Sequence, residues 1–327
     1  MIISFSFTVF AGLLAFAFTV VGLDPFIKYL KTNYIGQYIR EDGPQEHHSK
    51  KGTPTMGGVI ILIAIILSTV FVLLLEKSFN MTVVIVIASL IILGLLGFAD
   101  DYSKVIKKHN KGITGWTKLL IQFLVALVVT GYVYYFLDRS SVSIYGLTEV
   151  NLGLLIIPFG IIVILGSSNG INLTDGLDGL ASLTSAVSFL TLAIFLYNTN
   201  NIELAIVSIA ISGSCLGFLV YNHHPAKIFM GDAGSLMLGG AFGILGVLGG
   251  LELWLIPIGI IFVVECLSVI IQVISFKSTG KRVFKMTPLH HHFELCGDNE
   301  TTVVKKFVLV QVIACILSVI AGYKWLF

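Results

Sequence analysis

The chain has 327 residues, of which 56% are hydrophobic and only 12% charged, with a mean hydropathy of +0.96. Soluble domains carry about 25% charged residues, so this composition excludes an ordinary soluble protein and points to an integral membrane protein. The net charge of +2 excludes nothing by itself; the distribution of the charges is what informs.

Apolar runs of roughly 17–25 residues recur along the whole length, the signature of helical spans rather than of barrel strands. They predict an all-α integral membrane protein, a single polytopic domain over 1–327. Ten transmembrane helices are expected, at roughly 3–23, 57–75, 82–99, 119–137, 152–168, 180–197, 202–220, 234–250, 253–275 and 303–323. The N-terminal run has no basic flank and no small-residue cleavage site, so it reads as a retained span rather than a signal peptide. Cys215, Cys266, Cys296 and Cys315 show no CxxC spacing, and free thiols are expected.

Ten spans place alternate loops on opposite sides. One side receives 24–56, 100–118, 169–179, 221–233 and 276–302, and these segments hold fifteen of the 20 Lys and Arg residues. The opposite loops hold only Lys77 and Arg139. The positive-inside rule therefore predicts that the first set is cytoplasmic and that both termini are outside. All eight histidines fall on that same side, with Asp100, Asp101, Asp175, Asp178 and Asp232. A channel or transporter would place ionisable groups near mid-membrane. This pattern instead predicts a site at the cytoplasmic face, working on a soluble and a membrane-bound substrate together.

In chain order, the first cluster is Lys50-Lys51-Gly52-Thr53-Pro54-Thr55-Met56-Gly57-Gly58, at the start of a span. Its backbone N–H groups and lysines suit an anion, although a basic flank with a Pro-Gly turn would look the same. Asp100-Asp101 follows at the junction of the third span with a basic loop. Helical neighbours point about 100° apart, so the pair reads as poorly placed to chelate one metal ion together. Lys104 is within intrahelical reach of both, or free to bind phosphate.

Next, Asn169, Asn172, Asp175 and Asp178 recur every third residue. On a tight helical turn they would form one stripe suited to reading a sugar or base, with glycines admitting a ligand. Phe229-Met230-Gly231-Asp232-Ala233-Gly234-Ser235 opens a further span. Asp232 reads either as a first-turn acid or as a Mg²⁺ ligand beside a diphosphate. Glu265 and Gln272 share a face of the ninth span. His290-His291-His292 looks like a metal tract, but consecutive side chains diverge, so phosphate contacts are favoured over zinc.

Together these clusters resemble the polyprenyl-phosphate N-acetylhexosamine-1-phosphate transferases, in family order and across nearly the whole chain. Pro288-Leu289-His290-His291-His292-Phe293-Glu294 is most similar to the branch that transfers phospho-MurNAc-pentapeptide. One departure is Lys305-Lys306-Phe307, where many members carry Arg and Trp. The resemblance implies a homodimer in the bacterial inner (plasma) membrane, with no nucleic-acid partner. It implies transfer from UDP-MurNAc-pentapeptide to undecaprenyl phosphate with Mg²⁺. A UDP-GlcNAc-dependent relative and an anion transporter are the alternatives. For this chemistry Asp232 is assigned to Mg²⁺, Asp100 to orienting or deprotonating the lipid phosphate with Asp101 in support, and His290 to contacting substrate or stabilising the charged diphosphate. By resemblance, uridine recognition falls to Asn172, Asp175, Asp178, Asn222 and Phe229. Lys50, Thr55, Ser235, Gln272 and His291 contribute to the nucleotide-sugar pocket, and Lys104 and Lys118 neutralise phosphates.

Overall fold

The computed structural model describes residues 2–33, 52–107 and 112–326. Among these, ten helices are long and apolar enough to cross a membrane. They are α1 (Ile2–Thr32), α2 (Gly58–Glu76), α3 (Met81–Lys107), α4 (Gly115–Tyr135), α5 (Ile156–Thr174), α6 (Leu180–Asn198), α7 (Ile202–Asn222), α8 (Gly231–Gly249), α10 (Ile260–Thr279) and α12 (Glu300–Trp325). Two short helices, α9 (Leu255–Ile258) and α11 (Leu289–Leu295), and a 3₁₀ turn (Gly153–Leu155) complete the helical set among the described residues. The chain is thus an all-α, multi-pass membrane protein.

The helix α8 is the centre of the bundle, with every residue from Ala233 to Leu248 buried. Small residues make this possible, because without a hydrophobic drive between helices close backbone approach and packing hold membrane bundles together. Gly97 of α3 shows the constraint: a methyl group added there would overlap the carbonyl oxygen of Asp232 on α8. Serine hydroxyls add interhelical bonds, from Ser168 to Leu236 O at 3.0 Å, Ser212 to Ala186 O at 2.7 Å and Ser208 to Phe189 O at 2.7 Å. The outer helices expose apolar side chains such as Val21, Leu74, Val128, Ile274 and Leu317, as a lipid-facing surface requires.

Three features differ from the sequence expectation. The ninth span is broken: α9, which contains Pro257, stops at Ile258, and α10 starts anew after Gly259. Side chains take up the interrupted ladder. Gln311 of α12 accepts from Ile261 N at 3.2 Å and donates to Ile258 O at 2.5 Å, and Ser188 of α6 donates to Ile258 O at 2.9 Å. Secondly, the loop after α4 carries a small antiparallel hairpin, β1 (Ser141–Ile144) and β2 (Thr148–Asn151), whose turn has Tyr145 and Gly146 at positive φ. Thirdly, α3 runs to Lys107, two turns beyond the expected boundary at 99. Nothing from Asp100 to Lys107 breaks a helix, and Lys104 pairs with Asp100 one turn back at 2.6 Å.

A buried ion pair sits at the C-terminal end of α8. Arg139 bonds Glu252 at 3.1 Å, Leu248 O at 3.1 Å and Val247 O. Burial lowers the Arg139 pKa and raises that of Glu252, and each partner's charge opposes the other's shift.

Candidate active site

The opposite, N-terminal end of α8 gathers most of the residues singled out in the sequence. The segment before α2 lies alongside the segment before α8 in a short extended pairing. Phe229 N donates to Pro54 O at 2.8 Å, Gly57 N to Phe229 O at 3.0 Å and Gly58 N to Met230 O at 2.9 Å. This brings buried Thr55 against Gly231, whose φ of +72° suits glycine. A Cβ at Gly231 would overlap the Asp101 carboxylate and press on the Thr55 hydroxyl. Lys50 lies outside the described residues.

Because α3 continues past Ala99, Asp100 and Asp101 are buried inside a helix rather than at its solvated end. Asp101 turns toward α8 and accepts the free Ala233 N–H at 3.1 Å, acting as a helix cap supplied from α3. Asp100 accepts the Ile113 N–H at 2.7 Å, which fixes the loop leading into α4. Asp232 sits in the first turn of α8, where a carboxylate complements the helix dipole. Oxygens of Asp100, Asp101 and Asp232 all lie within 4.8 Å of one another. The expectation that adjacent carboxylates point too far apart to share an ion considered the pair alone. With the third carboxylate supplied from α8, an oxygen of each comes into one group.

Two lysines knit this group. Lys104 Nζ lies 2.6 Å from Asp100, 3.3 Å from Asp232 and 3.8 Å from Asp101. Lys118 Nζ from α4 lies 2.6 Å from Asp232 and 3.0 Å from Asp100. Asn172 at the end of α5 donates to Asp232 at 3.2 Å and to Ser235 at 2.8 Å. Three carboxylates against two ammonium groups leave one excess negative charge. An all-oxygen donor set of this kind fits a hard divalent cation.

The three-residue stripe does not survive as one face. Asn169 turns to α4 and donates to Gln122 at 3.1 Å. α5 ends at Thr174, so Asp175 and Asp178 lie in the following turn. Burial, then the charges of Asp232, Asp101 and Asp178, push Asp175 well above the usual carboxylate range. Asp178 faces away from the carboxylate group: it meets His224 Nδ1 at 3.0 Å and Ala226 N at 3.1 Å, while its own N–H donates to Glu300 at 2.7 Å. Asn222 is buried; its oxygen accepts from Gly179 N at 3.1 Å and Ser182 at 2.7 Å, and its nitrogen donates to Ile228 O at 3.0 Å. It therefore frames the loop that presents half-buried Phe229. Gln272 likewise holds a loop, accepting from Val283 N at 2.9 Å and Phe284 N at 3.0 Å.

His290 is 1% exposed and carries the clearest orphan group. Its Nδ1 lies 2.9 Å from Glu265 of α10, and the same carboxylate accepts from His290 N at 3.2 Å and Leu289 N at 2.5 Å. A carboxylate accepts only, so Nδ1 carries the proton and Nε2 is left for another partner. That Nε2 is buried with no hydrogen-bond partner among the described residues. It stands against Gly176, where a Cβ would overlap it, and so faces the Asp175–Asp178 turn. The His291 ring lies 4.2 Å from that of His290, tilted by 58°, and Nδ1 of His291 lies 2.7 Å from Glu294. Sequence reasoning noted Glu265 without giving it a role; a carboxylate inside an apolar span was the available signal. The capping role of Asp101 and the tie from Glu300 to Asp178 left no local signal.

The sequence pattern of glycosyl transferase family 4 matches residues 83–250, which carry the three carboxylates and both lysines. Signature 1 of the phospho-N-acetylmuramoyl-pentapeptide-transferases matches residues 50–62. A phospho-N-acetylmuramoyl-pentapeptide-transferase of Halalkalibacterium halodurans is 46% identical over 316 residues, covering 94% of this chain and 95% of the relative. The protein of that name from Bacillus subtilis is 44% identical over 96% of each chain. That from Shouchella clausii is 45% identical over 97% of this chain and 98% of its own. With the carboxylate–lysine group and the histidine segment in place, the chain belongs to the phospho-N-acetylmuramoyl-pentapeptide-transferase family of membrane-embedded phosphoglycosyl transferases.

Proposed function

We propose that the chain transfers phospho-MurNAc-pentapeptide from UDP-MurNAc-pentapeptide to undecaprenyl phosphate, forming lipid I and releasing UMP. The reaction belongs to peptidoglycan synthesis. We read the chain as one polytopic Mg²⁺-dependent domain, homodimeric in the bacterial plasma membrane, with the site cytoplasmic and both termini outside. The observation that carries this reading is the convergence of Asp100, Asp101 and Asp232 with Lys104 and Lys118 at the start of α8, in a chain of which 94% is matched by a relative.

Phosphoryl transfer at a diphosphate needs positioning and charge neutralisation more than covalent chemistry. Bound Mg²⁺, held by Asp232 with Asp100 and Asp101, would supply Lewis-acid neutralisation of phosphate oxygens. Lys104 and Lys118 can leave their carboxylates for the diphosphate and the acceptor phosphate without leaving the site. A phosphate monoester has a second pKa of about 6, so the acceptor is already largely dianionic near pH 7. Asp100, fixed by the Ile113 N–H, therefore orients the acceptor without needing to be a strong base. Asn172 and Ser235 meet the donor near Asp232, and Phe229 and Asp175 flank the uracil. As an imidazolium held by Glu265 through Nδ1–H, His290 can donate from Nε2 to a diphosphate oxygen.

The test is UMP release by the purified chain with undecaprenyl phosphate and UDP-MurNAc-pentapeptide, with and without Mg²⁺. Release only with Mg²⁺ supports the reading. Equal or faster release from UDP-GlcNAc would move the chain to the alternative substrate, and release unaffected by chelation would remove the metal.

A further inference from the structure

The first turn of α12 departs from the usual use of an acid at that place. Asn299 caps the helix, accepting Thr302 N at 2.9 Å, so Glu300 is not needed as a cap. A first-turn glutamate left in water would only complement the helix dipole. Glu300 is instead buried and turned toward two other connections. Its Oε1 accepts the Asp178 N–H at 2.7 Å, in the turn between α5 and α6. Its Oε2 lies 3.5 Å from His224 Nδ1, in the loop between α7 and α8. The Asp178 carboxylate in turn accepts Ala226 N at 3.1 Å and lies 3.0 Å from the same His224 nitrogen. One glutamate thus joins three segments that are far apart in sequence.

Apolar packing keeps the glutamate in this place. Leu177 and Leu180 share a buried cluster with Val303, Val304 and Phe307 of α12, and Leu289 and Phe293 of α11 pack against it. The α5–α6 turn is therefore gripped twice by the chain that follows α10. His290 Nε2 stands against Gly176, and Glu300 holds Asp178 two residues further on. Asp175 lies just before this grip, and Phe229 lies three residues beyond the amide that Asp178 fastens. An oxygen or ring nitrogen of Asp178, His224 and Glu300 lies within 4.8 Å of the others. Both carboxylates are already engaged by backbone N–H groups, so the cluster is a joint rather than a metal centre.

We propose that Glu300 is a positioning residue for the donor nucleotide, a role that rests on the transferase reading for the identity of its ligand. Through Asp178 it sets the spacing of the α5–α6 turn and the α7–α8 loop, and so of Asp175 and Phe229 about the uracil. Glu300 touches no substrate itself. Its effect falls on the UDP-sugar and not on the lipid acceptor, which meets Asp100 and the lysines on the other side of α8.

The test uses the full chain purified in mild detergent, read first by amide hydrogen exchange without substrate. Glu300→Ala should speed exchange over residues 175–179 and 224–230 roughly 10–100-fold, the effect of losing a hydrogen bond to a charged acceptor. Exchange in the second half of α8 should not change. Glu300→Gln keeps an oxygen for the Asp178 N–H and should stay within about threefold of the parent. In turnover, Glu300→Ala should raise KM for the UDP-sugar about tenfold and leave KM for undecaprenyl phosphate within about twofold. Should the Ala variant not fold, Glu300→Asp, one methylene short of the amide, should show the same split at about threefold. Unchanged exchange would remove the joint, and faster exchange with both KM values unchanged or raised alike would limit Glu300 to packing; either result overturns the role. A parent inactive on every UDP-sugar would sink the transferase reading, while exchange still decides whether Glu300 fixes the turn.

Discussion

The two ends of α8 each carry buried charge, and they are built differently. At the C-terminal end one guanidinium meets one carboxylate and the carbonyls of the last turn. At the N-terminal end three carboxylates share two ammonium groups, and each ammonium touches more than one carboxylate. Both arrangements complement the helix dipole, negative charge at the start and positive at the end. Arg139–Glu252 is a one-to-one pair, with the carboxylate 1% and the guanidinium 23% exposed in their side chains. At the other end Lys104, Lys118 and Asp232 remain 32%, 22% and 18% exposed. A one-to-one pair backed by helix carbonyls is a clasp; a shared group with unequal numbers of charges can exchange partners with a charged substrate.

Substitutions can break this comparison. The largest effect is expected from Asp232→Asn, which should lower kcat/KM by roughly 10²–10³-fold or more while leaving the thermal midpoint within a few degrees. A comparable loss of stability would make the N-terminal group a clasp as well. Arg139→Gln should do the reverse. Breaking a buried pair costs about 3–5 kcal/mol, seen as a lower midpoint, while the folded fraction keeps kcat within about threefold. Arg139→Met/Glu252→Gln, which leaves no unpaired charge, should recover much of that stability.

Glu265→Gln sharpens the comparison from outside α8. It should reduce kcat about 10–100-fold with little change in KM, because Nδ1 loses its carboxylate and His290 its fixed tautomer. Glu265→Asp should recover part of the rate; equal loss in both variants would limit Glu265 to packing. The smallest effect is expected from Asp175→Asn. The raised pKa of Asp175 means that the folded state holds this proton more tightly than the unfolded state. Its contribution is fully favourable below about pH 4 and is lost as pH rises through the folded value. The variant should therefore match the parent at low pH and melt higher near neutrality. A gain that does not vary with pH would contradict this.

The spans were legible because hydropathy over about 20 residues is a property of local sequence alone. Their ends were less so. The continuation of α3 depended on the absence of a breaker and on Lys104, and the break at Gly259 was masked by an apolar run long enough to count as one span. Pro257 and Gly259 were the overlooked signal. Within the site, Asn172 and Lys118 could be picked out by motif and charge, but the convergence of Asp100 with Asp101 depends on where α8 passes. The same holds in the opposite sense for Asn222 and Gln272. Their residue type suits base recognition, yet their amide groups hold loops that only the folded chain brings near. A three-residue period cannot reveal that α5 stops at Thr174 and disperses Asn169 and Asp178 to different neighbours.

The break before α10 also bears on the order of assembly in the membrane. Ile261 N depends on Gln311 of α12, which follows it in the chain, whereas Ile258 O is also held by Ser188 of α6. An unpaired backbone group in hydrocarbon costs several kcal/mol, so α10 cannot settle in its final place until α12 has entered the bilayer. The His290 segment lies between those two helices. The carboxylate end of the site, complete at the start of α8, is therefore synthesised before the histidine end, which takes its place only once α12 has joined α10.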